Sequence, residues 1–494
     1  MFLNAHDLQP GAQIEADLAI VGGGACGITL ARRLSRPGHD VVLLEGGGRQ
    51  YDEASQELYR GSAEGTCLGP ENEYLSSTRL RYFGGTTNHW AGWCRPMDPM
   101  DMERRDWLAH SGWPIGYDEM ARHFAGAEEM LELLPFARSK GTDYGRWSLF
   151  EASDLLIKEI FHLSPPVRFR LKYQDELARA RVVLNATVTR IRLDPDGRRV
   201  ASLEVAAAPG RPFTVRARFV VLAAGGVENP RLLLVSDDVQ PDGIGNANDF
   251  VGRYFMDHPH RRLGQVLLRH PPDRLMQYRS RPNGGQKRFP VIGLRESYRR
   301  QHGLLGATVQ IVRKQRVDDG DPVARTLSAL DELRNPDWSN EQPPLVALLN
   351  IRSEQAPNPE SRVTLADELD PNGVRRAKLD WRLGEQDLRT IRETGRLVAA
   401  ELARTGVGRV QSHIDPDDPW IGTVGGEHHV GTTRMAANAS TGVVDSDCRV
   451  FGVDNLYIAG SSVYPTAGFV NPTFTLVTLT LRLAEHLERK LESG

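Results

Sequence analysis

The chain has 494 residues. A single hydrophobic core rarely extends over so long a chain, so two domains are expected. Charged residues make up 25% of the sequence and the formal net charge is only -3, which excludes the basic footprint of a nucleic-acid-binding protein and favours a small or neutral partner. The four cysteines have no C-x-x-C spacing, so the sequence indicates neither a disulfide framework nor a metal site.

The N-terminal segment has neither the basic region nor the apolar run of a secretory signal. No stretch of the sequence approaches the roughly 18 consecutive apolar residues that span a bilayer. We therefore expect a cytoplasmic protein without a membrane segment.

Residues 17–45 predict an apolar strand, a glycine-rich turn, an amphipathic helix and a second apolar strand that ends in an acid. Gly22, Gly24 and Gly27 have the G-x-G-x-x-G spacing that lets a pyrophosphate approach the backbone and the helix N-terminus. Glu45 follows the second strand, where a carboxylate accepts the hydroxyls of a ribose. The unit predicts a dinucleotide site rather than a bare structural turn, without separating FAD from NAD.

The stretch "FGGTTNHWAGW" at 83–93 places one histidine, His89, after a Gly-Gly pair and two threonines. Gly84 and Gly85 permit the backbone to come close to another group. Packing, catalysis and holding a ligand are all open roles for His89 from the residues alone.

Two further segments predict strands of the nucleotide half. Residues 181–194, which include Val188, alternate apolar and polar side chains. Residues 219–234 form an apolar run that ends in Ala224 and Gly225 before a helix, where small side chains allow close approach. A plain strand-to-helix turn explains the second segment equally well when it is taken alone.

The middle of the chain predicts a second layer. The amphipathic stretch 117–134 predicts a helix with a solvated acidic face. The Pro- and Arg-rich span from about 260 to 360 and the stretch 361–383 predict strands and loops. His258 precedes a proline and follows Asp257, and because adjacent side chains seldom point the same way, we expect a structural role for it.

The C-terminal part holds the densest chemistry. A short apolar strand runs into Gly460, and Pro472 suits the first position of a long apolar helix, which makes Asn471 its natural N-cap. The alternative is that Asn471 and the helix N-terminus face a ligand in the sheet crevice. For His428 and His429, the residues alone leave both a buried structural role and a catalytic role open.

Taken together, these segments resemble the glucose-methanol-choline (GMC) family of FAD-dependent alcohol oxidoreductases. The resemblance spans the chain in the family's order and rests on these stretches: Gly22, Gly24 and Gly27 with Glu45, then 84–90, 222–234, 251–259, 428–435, 455–465 and 471–473. The stretches at roughly 100–170 and 260–420 carry no matching motif.

The resemblance implies an α/β fold, with a Rossmann-like FAD-binding domain and a sheet-based α+β substrate-binding domain. The FAD-binding domain is discontinuous and the substrate-binding domain fills its gaps; the expected ranges are 1–100, 170–260 and 425–494 for the first, and 101–169 and 261–424 for the second.

The resemblance also implies a mechanism. The family's active-site histidine stands three residues before the glycine of a Gly-Thr pair, here Gly431, which selects His428 as the base over His429. Asn471 falls on the partner that hydrogen-bonds the substrate oxygen, and the carbinol hydrogen passes as hydride to flavin N5. His429 is left as a wall residue that contacts substrate.

FAD is the implied cofactor, and the expected cofactor-binding residues are Gly22, Gly24, Gly27, Glu45, Gly84, Gly85, Thr86, His89, Val188, Ala224, Gly225, Gly460, Pro472 and Thr473. Trp90 stands where the family's commonest pattern has asparagine, which is closer to the branch of pyranose oxidases and fructose or gluconate dehydrogenases. In pyranose and choline oxidases a histidine at the position of His89 is bonded to the flavin, so a covalent tether and a hydrogen bond are the two alternatives for His89.

The expected activity is oxidation of an alcohol, such as a sugar, glycoside or polyol, with oxygen or another electron acceptor. Lyase-type chemistry on the same fold, a flavin subunit that passes electrons to a partner, and an NAD dehydrogenase are the alternatives. A homo-oligomer and a small electron-transfer subunit are both open as assemblies.

Overall fold

The computed structural model of the chain describes residues 1–68, 73–136, 153–268, 281–283, 286–313 and 345–493. The expected loops and strands around 316–327 therefore lie outside the described residues.

The described strands fall along the whole chain. In chain order they are β1 (Phe2–Asn4), β2 (Gln13–Val21), β3 (Val41–Leu44), β4 (Ser62–Gly65), β5 (Trp93–Cys94), β6 (Leu156–Leu163), β7 (Arg181–Leu184), β8 (Thr187–Leu193), β9 (Val200–Ala208), β10 (Arg211–Leu222), β11 (Pro259–Leu268), β12 (Arg281–Asn283), β13 (Gln286–Leu294), β14 (Ala307–Arg313), β15 (Leu345–Ser353), β16 (Arg362–Leu369), β17 (Arg375–Trp381), β18 (Gly408–Ser412), β19 (Val424–Gly425) and β20 (Leu456–Ile458).

The described α-helices are mostly short, except for two of twenty residues each. They are α1 (Ala25–Leu34), α2 (Glu53–Glu57), α3 (Tyr74–Ser77), α4 (Pro99–Met102), α5 (Tyr117–Ala121), α6 (Phe124–Met130), α7 (Phe169–Tyr173), α8 (Gly225–Val235), α9 (Glu296–His302), α10 (Glu385–Arg404) and α11 (Thr473–Glu492). Among the residues described, no helix combines the length and the apolar character that crossing a membrane requires.

Eight of the described strands form one sheet in the order β1-β7-β3-β2-β10-β9-β8, with β20 beside β10. Its first five strands are parallel, while β9 and β8 are antiparallel to their neighbours. All four residues of β3 are buried, as a parallel strand covered on both faces requires. Helix α1 packs against α11 on this sheet, which confirms the predicted α/β class with a Rossmann-like βαβ unit.

Nine of the described strands form an antiparallel sheet in the order β18-β11-β15-β14-β13-β6-β5, with β12 and β19 at its sides. Strands β16, β17 and β4 form a separate three-stranded sheet. Strand β5, inside the expected range 1–100, pairs with β6 of the nine-stranded sheet. The division into two domains stays a prediction.

The helix expected at 117–134 is interrupted. It forms as α5 and α6, with His123 in a non-helical conformation between them. Gly126 brings α6 close to α11, because a Cβ atom there would lie 2.9 Å from the side chain of Leu481.

Candidate active site

A cavity of about 720 Å³ opens where the parallel strands of the eight-stranded sheet end. Its walls come from the turn after β2, the end of β3, the turn after β10 and the residues that follow β20. In open α/β sheets this edge is where ligands bind, because loops after neighbouring strands diverge there and leave a crevice.

The glycine turn after β2 has the geometry of a phosphate cradle. Gly22 adopts φ +108°, and a Cβ atom there would lie 2.6 Å from the carbonyl oxygen of Ala223. A Cβ atom at Gly27 would lie 1.8 Å from the carbonyl oxygen of Gly22, so α1 packs on the strand only through glycine. A Cβ atom at Gly24 would meet no protein atom within 4 Å, so this glycine faces open space at the start of α1. A diphosphate fits this space and the helix N-terminus beside it.

Glu45 directly follows β3 and lines the cavity, as its position in the sequence predicts. Its two carboxylate oxygens accept the backbone N–H groups of Gly23, at 2.8 Å, and Gly47, at 2.7 Å. Burial raises the pKa of Glu45, although the two amides and Arg81 oppose this effect. A carboxylate has about four lone-pair sites, so two remain for ribose hydroxyls.

The segment with His89 lies against the same glycine turn. The N–H of Gly84 donates to the carbonyl of Gly23 at 2.8 Å, which joins the two glycine-rich turns. His89 is exposed at the cavity, and its Nε2 lies 2.9 Å from the hydroxyl of Tyr82.

Most of the other expected cofactor-binding residues share this cavity. Those that line it are Gly85, Thr86, Val188, Ala224, Gly225, Gly460, Pro472 and Thr473. Gly27 and Gly84 are packed behind the lining, and both support it through backbone contacts. The combined cradle, carboxylate and strand-end glycines fit FAD.

His428 lies at the other end of the cavity, on a loop that a buried carboxylate organises. Oδ1 of Asp257 accepts the N–H groups of Gly426 and His428, and Oδ2 accepts the N–H of Glu427. The hydroxyl of Tyr74 also donates to Oδ2, at 2.5 Å. Three successive amides thus turn toward one fully buried anion, which holds Glu427 at φ +62°.

Hydrogen bonds determine the tautomer of His428. A carbonyl oxygen only accepts, so Nε2 of His258 carries a proton and donates to Gly468 at 2.8 Å. Neutral His258 then has its lone pair on Nδ1, which lies 2.8 Å from Nδ1 of His428. His428 therefore carries its proton on Nδ1, and its Nε2 is unprotonated. The side-chain amide of Asn471 donates to this Nε2 at 3.0 Å.

Four histidines meet here and form what we call the histidine cluster: His258, His260, His428 and His429. Burial lowers the pKa of each, to about 3 for His260 and about 4 for His429. The pKa of His428 lies well below its usual 6.5, because burial is reinforced by its histidine neighbours and by Arg352. The cluster is therefore neutral at pH 7, and the one lone pair on Nε2 of His428, which accepts from Asn471, takes a proton only when a substrate hydroxyl replaces that amide.

Asp257, His258 and His428 also have the spacing of a metal-binding group. However, both oxygens of Asp257 already receive N–H or O–H donors, and the facing nitrogens of the two histidines share one proton. A cation would face those protons, so the hydrogen-bonded arrangement is the one these side chains favour.

Asn471 differs from the sequence expectation in one respect. Helix α11 begins at Thr473 with Pro472 in the N-cap position, so Asn471 precedes the cap. Its side chain bonds His428 instead of a helix N–H, which corrects the expected capping role. The ring of Pro472 disfavours a helical conformation at Asn471, which keeps Asn471 outside the helix.

His429 is buried in the cavity wall. Its ring lies 5.5 Å from that of Tyr74 and 5.6 Å from that of Phe255, and its Nε2 lies 3.3 Å from the hydroxyl of Thr78.

The sequence favours a structural role for His258 and contains no motif that indicates a role for His260 or Arg352. His260 and Arg352 are opposite each other on β11 and β15, and both line the cavity. Only the strand register brings them together, and no motif signals it. For His258 the signal was present in the Asp-His-Pro triplet, but its partner is 170 residues away.

Two family models match the chain. Residues 17–244 match the model described as FAD dependent oxidoreductase, and residues 357–480 match GMC oxidoreductase.

Curated relatives align over nearly the whole chain. The fructose dehydrogenase large subunit of Gluconobacter japonicus is 24% identical, over 97% of this chain and 99% of the relative. The C-glycoside 3-oxidase of Microbacterium trichothecenolyticum is 26% identical, over 92% of this chain and 81% of the relative. Among solved structures, pyridoxine 4-oxidase from Mesorbium loti has a TM-score of 0.59 at 20% identity and covers 97% of this chain and 99% of its own, which shows a shared fold.

The cradle for FAD, the α/β fold and these matches agree. The chain is an FAD-dependent oxidoreductase with a GMC oxidoreductase domain at 357–480, and its relatives act on CH–OH groups.

Proposed function

We propose that this protein oxidises the alcohol group of a sugar, glycoside or polyol to a carbonyl, with His428 as the base. The observation that carries the proposal is the position of His428 in the cavity wall, with Nδ1 at 2.8 Å from His258 and Nε2 at 3.0 Å from Asn471. The tautomer inferred from these contacts leaves Nε2 as the proton acceptor. Relatives named for fructose and for C-glycosides support the sugar class of substrate.

FAD is held by the glycine turn, Glu45 and the residues after β10 and β20, and when bound it supplies the hydride acceptor. The expected residues that line the cavity support this assignment, and Gly27 and Gly84 support the lining from behind.

The proton step belongs to His428 and Asn471. A substrate hydroxyl within about 2.6–3.2 Å of Nε2 donates its proton to that nitrogen. The amide of Asn471 itself donates to Nε2, at 3.0 Å, so the hydroxyl takes its place there. The displaced amide then donates to the substrate oxygen and stabilises the charge that develops on it. His429 forms the wall beside them and contacts substrate through its ring.

His89 holds the cofactor in this proposal, and the covalent tether is tested directly. The proximity of Tyr82 to Nε2 supports a hydrogen-bonding environment that orients the ring. Acid precipitation of the purified protein leaves a yellow pellet if His89 is bonded to the flavin, and a yellow supernatant if it is not.

The central experiment is anaerobic flavin bleaching of the purified protein with a panel of sugars, glycosides and polyols. His428→Ala should slow the reduction by about 10²- to 10⁴-fold with FAD still bound, while the exposed His6→Ala serves as the matched control. Near-normal reduction in His428→Ala removes the assigned base. Absence of bleaching by any alcohol favours lyase-type chemistry instead.

The electron acceptor follows from the same preparation. Mixing the reduced protein with oxygen separates an oxidase from a dehydrogenase. Slow reoxidation supports transfer to a partner, as the name of the fructose dehydrogenase large subunit suggests for that relative.

A further inference from the structure

One cationic side chain in the cavity has no acceptor among the described residues. Four arginines line the cavity in the described part of the chain. Three of them donate to an acid or a carbonyl of the protein: Arg79 to Glu228, Arg81 to Gly46 and Arg231 to Asp370. Arg352 makes no hydrogen bond or ion pair with any described residue, and its guanidinium instead lies over the ring of Trp93, 4.7 Å from the centroid.

Arg352 lies on the wall beside the proposed base. It is directly opposite His260 in the antiparallel pair of β15 and β11, so both side chains project from the same face of the sheet. The ring of His260 lies 6.0 Å from that of His428. The positive charge of Arg352 is close enough to help lower the pKa of His428.

A half-buried guanidinium without an anion is costly, and burial lowers the pKa of Arg352. The contact with Trp93 covers one face of the guanidinium and leaves its edge N–H groups for an acceptor in its plane. A planar carboxylate is the acceptor that matches this fork.

The charge on this wall selects a monoanion. His260 is neutral because burial lowers its pKa to about 3, so Arg352 supplies the one positive charge of the pair. A phosphate dianion would leave a net negative charge in a half-buried site, whereas a carboxylate leaves none.

We propose that Arg352 binds a carboxylate of the substrate, and that the preferred substrate is a sugar or polyol bearing this group, such as a sugar acid. This inference rests on the proposed function and specifies its substrate class. Arg352 selects and positions the alcohol, while His428 and Asn471 act on its hydroxyl.

The test uses the FAD-loaded protein and a pair of ligands that cannot be oxidised. 2-Hydroxyisobutyrate has a tertiary alcohol with no carbinol hydrogen, and 2-hydroxyisobutyramide is its neutral counterpart. Binding of each is titrated through the shift of the flavin absorbance spectrum in the wild-type protein, Arg352→Gln, Arg352→Lys and Arg262→Gln. Arg262 is the matched control, because it is exposed on β11 and does not line the cavity.

The acid should bind the wild-type protein at least about 10-fold more tightly than the amide. Arg352→Gln should weaken acid binding by about 10- to 100-fold and leave amide binding unchanged, because it removes a charge-assisted hydrogen bond. Arg352→Lys should fall between them, since it keeps the charge and loses the fork, and Arg262→Gln should behave as wild type.

Equal affinity for acid and amide, or no spectral shift with the acid, overturns the inference, and this comparison needs no variant to fold. A preference for the acid that survives in Arg352→Gln also overturns it. Because neither ligand is oxidised, the result is separate from the proposed function. That function fails if no alcohol of the bleaching panel, to which the pairs glycolate and ethylene glycol and gluconate and glucitol are added, bleaches the flavin.

Discussion

Replacing His258 by leucine tests whether the tautomer of His428 is held by its neighbour. The substitution removes the acceptor of the Nδ1–H of His428, which lies 2.8 Å from Nδ1 of His258. A buried donor without a partner costs about 1–3 kcal/mol. The tautomer with the proton on Nε2 then competes, because the amide of Asn471 can rotate and offer its oxygen to that proton.

This energy corresponds to a loss of about 5- to 150-fold in the population of the reactive tautomer. The rate of anaerobic flavin reduction should fall by the same factor, with the visible FAD spectrum unchanged. His258→Gln should recover part of the rate, because its side-chain oxygen can again accept from Nδ1. The measurement is stopped-flow reduction by whichever alcohol bleaches the wild-type protein.

The double variant His258→Leu/His428→Ala gives the sharper outcome. If His258 acts only through His428, the double variant should reduce no more slowly than His428→Ala alone. A further loss in the double variant, or an unchanged rate in His258→Leu, refutes the positioning role.

Three other predictions concern the cradle, the loop and pH. Gly24→Ala should fold normally but bind FAD more weakly, since its Cβ atom would extend into the cavity. Gly27→Ala should fail to fold, because its Cβ atom would lie 1.8 Å from a carbonyl oxygen. Equal FAD retention and equal thermal stability of the two variants would contradict this. Asp257→Asn should lower the free energy of unfolding by about 3 kcal/mol in denaturant titrations, because the amide nitrogen cannot accept from the loop amides. An unchanged denaturation midpoint would show that these hydrogen bonds do not stabilise the loop. Burial lowers the pKa of every histidine in the cluster in the folded protein. Below pH 6.5 the unfolded chain therefore binds more protons than the folded protein. The free energy of unfolding should fall by up to about 1.4 kcal/mol per histidine for each pH unit from pH 6.5 down toward pH 4. A denaturation midpoint that stays constant between pH 7 and 5 would mean that the cluster is not neutral in the folded protein.

The nucleotide half was predictable because its chemistry is local. Gly22, Gly24, Gly27 and Glu45 act within one βαβ unit, so their spacing along the chain implies their arrangement in space. The structure adds what spacing cannot give, namely that the N–H of Gly84 bonds the same turn and brings the His89 segment to it.

The substrate wall was not predictable in the same way. His260 and Arg352 become neighbours only through the pairing of β11 with β15, and that register shifts at a bulge between Arg262 and Gly264. A one-residue change in register would turn one of the two side chains away from the cavity, and no periodicity in a single strand reveals the choice. For His258 the sequence argument considered only the adjacent Asp257, whereas its ring contacts His428 on a distant loop.

The charge distribution around His428 links the base to the proposed substrate. Without substrate, Arg352 and burial both disfavour the imidazolium form of His428, which keeps the base neutral but makes it weak. A carboxylate bound to Arg352 compensates this positive charge and so raises the pKa of His428 when the substrate is in place. A neutral alcohol of the same shape leaves Arg352 uncompensated. Selection of an acid and activation of the base then arise from one ion pair, and the rate advantage of the acid should exceed what its tighter binding alone explains.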